Sequence, residues 1–224
     1  MYLFSFNKYA GHDRVFLYEK EIKTDAGDLI KIQDEYFFCL GDEISFQELY
    51  NYKLNVTWES ELIVKKLLSE KTVELVHWMV YERYSTYKSV LKLFLSFDIN
   101  KLLDNKLENA KNNVKQELFI LPDLWTLYNT FDAEILEDKN TALVSSTQTQ
   151  LQKNKLFWKI KTWKVNKIIW TSSEIFQDYK NLTKITFYSP HKRYYTSQQD
   201  PRYKTSMVVD KMKEIYGCEL EIIE

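Results

Sequence analysis

The chain has 224 residues, 45% of them apolar and 28% charged, a balance that excludes a disordered or fibrous chain. A chain this long removes about 70% of its extended-state surface from water, so its core needs neither disulfides nor metals. Four glycines and three prolines stand against 31 Lys+Arg and 32 Asp+Glu, a net charge of -1, and no glycine-rich phosphate cradle is present.

At the amino end Tyr2, Phe4 and Phe6 alternate with Leu3 and Ser5, Val15 and Leu17 with Phe16 and Tyr18, and Ile30 and Ile32 with Lys31 and Gln33. This period of two, with the apolar run from Tyr36 to Leu40 behind it, predicts three or four antiparallel strands. Ala26-Gly27-Asp28 supplies a turn. From Thr57 to Leu95 the spacing of Leu62, Leu67, Val73, Leu75, Trp78, Met79 and Val80 is closer to helical. It predicts one helix starting near Thr57 and another through Val73 to Leu95. Leu102, Leu103, Leu107, Ala110, Val114 and Leu118 lie on a further broad helical face, which Pro122 ends.

The polar segment Ser145 to Asn154 reads as a connector or an exposed loop. After it Leu156, Trp158, Ile160 and Thr162 alternate with Phe157, Lys159, Lys161 and Trp163, the pattern of a half-exposed strand, and Val165 to Trp170 continues it or pairs with it. Thr171 and Glu174 form a capping-box pair ahead of a short helix through Ile175, Phe176 and Tyr179. Residues 183–189 read as extended, Ser206 to Tyr216 as a helix ended by Gly217, and Cys218 to Glu224 as a closing strand. The expected fold is α+β: an amino-terminal antiparallel sheet, central helices and a basic carboxy-terminal mixed α/β unit. The expected division is an acidic sheet-plus-helix region, 1–144, and a basic region, 153–224, with one continuous domain as the alternative.

No run of about 18 apolar residues is present, so no membrane partner is expected. The first residues meet charge at Lys8, Asp13 and Arg14 and do not resemble a signal peptide. Cys39 and Cys218 form no CxxC pair, and His12, His77 and His191 are dispersed, so a structural zinc site is not expected. A reducing, cytoplasmic setting is the simplest expectation.

Residues 1–140 carry 17 Lys+Arg and 24 Asp+Glu, whereas 141–224 carry 14 and 8. One basic cluster joins Lys155, Lys159, Lys161, Lys164 and Lys167 with Trp158 and Trp163; a second joins His191, Lys192, Arg193, Arg202 and Lys204. Lysines that neutralise phosphates release counterions, and exposed tryptophans stack on bases, so the reading is a DNA- or RNA-associated protein that contacts backbone phosphates. The bland reading of the first cluster is a buried tryptophan with a solvated lysine face. A third reading is a protein-interaction or inhibitor module, or self-association, steered by the charge asymmetry.

Pro122-Asp123 followed by Glu137-Asp138-Lys139 resembles the PD-(D/E)xK signature of metal-dependent nucleases over residues 122–139. The resemblance implies that Asp123 and Glu137 hold a magnesium ion and that Lys139 positions or activates the attacking water. The competing reading is ordinary surface carboxylates. No cofactor is expected outside the nuclease alternative, and no GxSxG, HExxH or glycine-rich nucleotide loop occurs.

Overall fold

The computed structural model describes residues 2–5, 15–18, 24–32, 35–41, 55–57, 61–95, 99–104, 114–145, 147–162, 164–171 and 175–224. The chain forms two compact units, Met1–Lys92 and Leu93–Glu224.

The first unit is built on a sheet of β1 (Tyr2–Ser5), β2 (Val15–Tyr18), β3 (Leu29–Ile32), β4 (Glu35–Cys39), β5 (Asn55–Thr57) and β6 (Glu61–Val64). Their order is β5-β2-β1-β4-β3-β6, antiparallel apart from β5, which runs parallel to β2. Of the alternating amino-terminal residues, Tyr2 to Ser5, Val15 to Tyr18, and Ile30 to Ile32 form strands as expected, and Phe6 and Gln33 lie outside the described residues. The helix expected near Thr57 is not there, because Thr57 ends β5 and Glu61 opens β6.

Gly27 holds the turn before β3 at φ +92, donates to the Cys39 carbonyl at 2.7 Å and accepts from Leu68 N at 3.1 Å. The buried Asp28 carboxylate accepts from Asp25 N at 2.9 Å and from Lys66 N at 2.7 Å. The helix expected from Val73 to Leu95 is two helices, α1 (Glu70–Arg83) and α2 (Tyr87–Phe94). Tyr84 takes a left-handed φ of 48 and ends α1, and the Thr86 hydroxyl then captures Ser89 N to start α2. Ser69 caps α1 by accepting from Thr72 N. His77 on α1 is bracketed by the Tyr87 hydroxyl, 2.9 Å from its Nδ1, and the Leu40 carbonyl at 2.7 Å, to which its Nε2 donates.

The second unit opens with α3 (Ile99–Leu103) and is built on a five-stranded sheet. Its strands are β7 (Gln116–Leu121), β8 (Thr141–Ser145), β9 (Lys167–Thr171), β10 (Leu182–Tyr188) and β11 (Glu219–Ile223), in the order β11-β10-β7-β9-β8. All four pairings are parallel. The crossovers carry α4 (Leu124–Thr130) and α5 (Ala133–Glu137) between β7 and β8, α6 (Gln150–Thr162) between β8 and β9, and α7 (Thr205–Tyr216) between β10 and β11.

On one face of this sheet Leu118, Ile120, Ala142, Val144, Ile168, Trp170, Ile185 and Phe187 are buried, while Ile222 of the edge strand β11, in register with Phe187, is exposed. On the other, Leu121 and Ile169 pack with Leu127 of α4 and with Phe131, which follows that helix, and half-buried Phe119, Leu143 and Tyr188 lie around them. Gln116 joins three parts of the unit: its Nε2 donates to the Ile160 carbonyl, and its Oε1 accepts from Lys180 N and Asn181 N.

The fold thus has the expected amino-terminal antiparallel sheet, central helices and carboxy-terminal α/β region, the last with a buried ion pair between Lys161 and Asp178. Several local expectations are corrected. The end of the helix expected to run to Pro122 is strand β7, a short apolar run paired on both sides. The strand expected through Leu156 to Thr162 is helix α6, opened by a reciprocal box in which Thr149 N donates to Gln152 Oε1 and Gln152 N to Thr149 Oγ1. The short helix expected through Ile175 to Tyr179 is a buried irregular crossover, and Glu174 of its cap pair lies outside the described residues. The polar segment from Ser145 to Asn154 joins β8 to α6 within the second unit. Residues 183–189, the last helix with Gly217 at φ 64, and the closing strand are as expected. Among the described residues no helix is long and apolar enough to cross a membrane.

Candidate nucleic-acid interface

Each basic cluster falls on a defined element of the second unit. On α6, Lys155 is exposed, Lys159 is half-buried and donates to the Thr141 carbonyl at 2.8 Å, and Lys161 is half-buried against Asp178. Burial pushes the Lys159 ammonium below its usual pKa, against a smaller opposing pull from Asp138. Two lysines of this cluster therefore hold the helix to its surroundings. Lys164 is exposed beyond the helix, and Lys167 opens β9 half-buried. Trp158 is 1% exposed, and its Nε1 donates to the Leu102 carbonyl at 2.6 Å. It therefore presents no free face for a base. Trp170 is buried in the same way, and Trp163 lies outside the described residues.

The second cluster occupies the loop after β10, at the carboxyl edge of the parallel sheet. Open parallel sheets bind ligands outside the carboxyl ends of their strands. The loop leaves the sheet at Ser189, whose φ is 46 and whose N–H donates to the Ile223 carbonyl at 2.7 Å. A 3₁₀ turn, Arg193–Tyr195, follows, and then a return in which Ser197 N donates to the Tyr203 carbonyl at 2.9 Å. Tyr195 and Tyr203 of this loop point inward. Tyr195 packs edge-on against Phe187 at 4.7 Å and donates its hydroxyl to the Tyr188 carbonyl at 2.8 Å, while Tyr203 packs edge-on against Phe176 at 5.0 Å.

Burial, with a smaller contribution from the charge of Asp123, pushes the Tyr195 hydroxyl far above its ordinary pKa, so it stays a donor. With those two rings as anchors, Arg193, Arg202 and Lys204 are exposed and Lys192 is half-buried. Lys192 lies 3.9 Å from Asp123, and His191 lies 3.5 Å from Glu224.

The three nuclease-signature residues are parted by the same sheet. Asp123 follows β7 at the carboxyl edge, where Leu121, Thr171 and Ser145 are in register. Glu137 ends α5 and Lys139 sits in the turn before Thr141, the first residue of β8, at the amino edge. The four steps from Thr141 to Ser145 span about 13 Å at the usual strand rise of about 3.3 Å per residue. Asp123 and Glu137 therefore do not meet on one ion, and these residues do not fit a shared magnesium site. Among the described residues no three His, Cys, Asp or Glu side chains converge as a metal site.

Asp123 instead caps α4. It accepts from Thr126 N at 2.7 Å and from Thr126 Oγ1 at 2.8 Å, and the first of these bonds is the main cause that lowers its pKa. The Asp-x-x-Thr spacing was the available signal for this role. Sequence reasoning also passed over Trp125 and Tyr128 of α4, which are 77% and 66% exposed. No periodic pattern marks a helix of two turns, so nothing in the sequence set them apart from core aromatics.

The charge asymmetry does not follow the fold. Residues 1–92 carry 12 Lys+Arg and 15 Asp+Glu, and 93–224 carry 19 and 17. The positive character is local to the loop and to α6. No protein-family model matches the chain, and no curated protein matches it.

Proposed function

We propose that this is a non-enzymatic nucleic-acid-associated protein that contacts backbone phosphates through the loop at the carboxyl edge of its parallel sheet. The observation that carries this reading is the division of labour in that loop: Tyr195 and Tyr203 are buried anchors, while Arg193, Arg202 and Lys204 are exposed. An arginine fork suits phosphate oxygens, and a loop held by two rings loses little order on binding. Lys155 and Lys164 are exposed on the same unit, Lys164 ahead of β9 at the opposite, amino edge of the sheet. With Trp158 and Trp170 buried, base stacking by those rings drops out of the reading, so a weak dependence on sequence follows.

The test is a salt titration of fluorescence anisotropy with labelled single- and double-stranded DNA and RNA of about 20 nucleotides. Each phosphate contact contributes about 0.9 to the duplex salt slope and about 0.7 to that of a single strand. The Arg193→Ala/Arg202→Ala double variant is expected to lower the slope by about 1.4 to 1.8 on this rule and to weaken binding at least tenfold. Binding that is absent at low salt in the wild-type protein, or unchanged in the double variant, sinks the assignment.

A further inference from the structure

The outward side of α4 and α5 has a chemistry opposite to that of the basic loop. The inner side of the pair is fully employed: Leu127 and Phe131 enter the core with Leu121 and Ile169, and Ile135 and Leu136 pack against it. What remains outside is a run of large apolar groups, with Leu124 at 44%, Trp125 at 77% and Tyr128 at 66% exposure within five residues. In the segment that follows, Asp132, Glu134, Glu137 and Asp138 are all exposed, and no Lys or Arg occurs between Lys115 and Lys139. Single exposed apolar residues are ordinary, but an aromatic group of this size next to an acidic segment has the composition of a protein interface, where Trp and Tyr supply the central contacts and polar groups flank them.

We infer that this surface docks a lysine- or arginine-bearing amphipathic segment of a partner protein. The charge of the acidic segment selects that occupant. The four exposed carboxylates of residues 132–138, a stretch without Lys or Arg, disfavour a phosphate backbone and attract a basic segment, while Lys192 stands 3.9 Å from Asp123 at the start of α4. The apolar centre in turn requires large aliphatic or aromatic anchors on the same segment, one face basic and the other apolar. The surface is separate in residues from the loop assigned to phosphate contact, so either assignment can fail without the other.

The test uses the full chain and a fluorescein-labelled 16-residue peptide of leucine and lysine with leucines at helical spacing, read by polarisation at about physiological ionic strength. Matched peptides carry glutamate for lysine, or alanine for leucine. The leucine-lysine peptide is expected to bind, and both matched peptides to bind at least tenfold more weakly. Trp125→Ala, Tyr128→Ala and the triple reversal Glu134→Lys/Glu137→Lys/Asp138→Lys are each expected to weaken it about tenfold. Glu74→Lys, on an exposed acid of α1, is expected to leave it within twofold. Trp125 and Tyr128 are exposed, so the urea midpoints of their variants should match wild type. Equal binding of the glutamate peptide, or unchanged binding in Trp125→Ala, overturns the inference. So does a self-association that Trp125→Ala abolishes, or an oligonucleotide affinity lost in Trp125→Ala and kept in Arg193→Ala/Arg202→Ala.

Discussion

The carboxylate of Asp28 accepts the backbone N–H of Lys66 at 2.7 Å and so fastens the turn before β3 to the segment that follows β6. Its other oxygen accepts from Asp25 N, and the residue is fully buried. Removing the carboxylate leaves two N–H groups without their acceptor, each worth about 1 to 3 kcal/mol when desolvated. Asp28→Ala is expected to cost about 2 to 4 kcal/mol in urea unfolding on that basis, and Asp28→Asn, which keeps one acceptor oxygen, clearly less.

Gly27 and Gly217 both have positive φ, but their surroundings differ. A Cβ at Gly27 would lie 1.9 Å from the Leu68 carbonyl oxygen, whereas one at Gly217 meets nothing within 4 Å. Gly217→Ala is therefore expected to cost only the left-handed penalty, about 1 kcal/mol. Gly27→Ala adds a backbone collision and is expected to cost more than about 3 kcal/mol, the upper end for a single strained site. Equal unfolding midpoints for the two variants would contradict this placement of Leu68.

Asp123 gives a pH dependence with a defined sign. Its folded pKa is lowered, chiefly by the bond from Thr126 N, so its stabilisation is fully present above the unfolded carboxylate value. That stabilisation falls away as the pH drops through the lowered folded value. Asp123→Asn, also a good cap, should unfold at a similar urea concentration near neutrality but lose this part of the acid dependence. Asp123→Ala should cost about 1 kcal/mol at neutral pH, the usual worth of a cap. Neither change should produce or remove magnesium-dependent strand cleavage.

Trp158 separates packing from binding. Trp158→Ala empties a buried site and loses the bond to the Leu102 carbonyl, so a cost of about 3 to 5 kcal/mol is expected. Trp158→Phe retains most of the volume and is the variant for the binding assay. Its affinity for oligonucleotides should equal wild type within about twofold, the difference that about 0.4 kcal/mol makes. A tenfold loss would mean that the ring meets the nucleic acid.

Strands β1, β2 and β3 were legible because each carries a period of two over four residues, and Gly217 was legible because it follows a helical run at the place where a left-handed residue is needed. Helix α6 misled because Leu156, Trp158, Ile160 and Thr162 also alternate. Its buried set, Asn154, Phe157, Trp158, Ile160 and Thr162, is helical once Asn154 is counted, and the Thr149-x-x-Gln152 box ahead of it was the better signal. Strand β7 was hidden because its apolar run of four residues, Leu118 to Leu121, has no period of its own, and its central place is set by partners far along the chain. The lysines of α6 were recognised as a cluster, but the sequence holds no sign that Lys159 and Lys161 are engaged by Thr141 and Asp178. Those are long-range contacts that only the fold creates.

The central position of β7 has a consequence for synthesis of the chain. Glu117 is in register with Lys167 on one side and Lys184 on the other, so the first-made strand of this sheet is flanked by strands made much later. Pairings at such separation form slowly, because loop closure precedes any gain from contact. A nascent chain halted after β9 but before Leu182 would hold β8, β9 and β7, with one apolar edge of β7 bare. That edge is open to pairing with another chain until the arrival of β10 closes it.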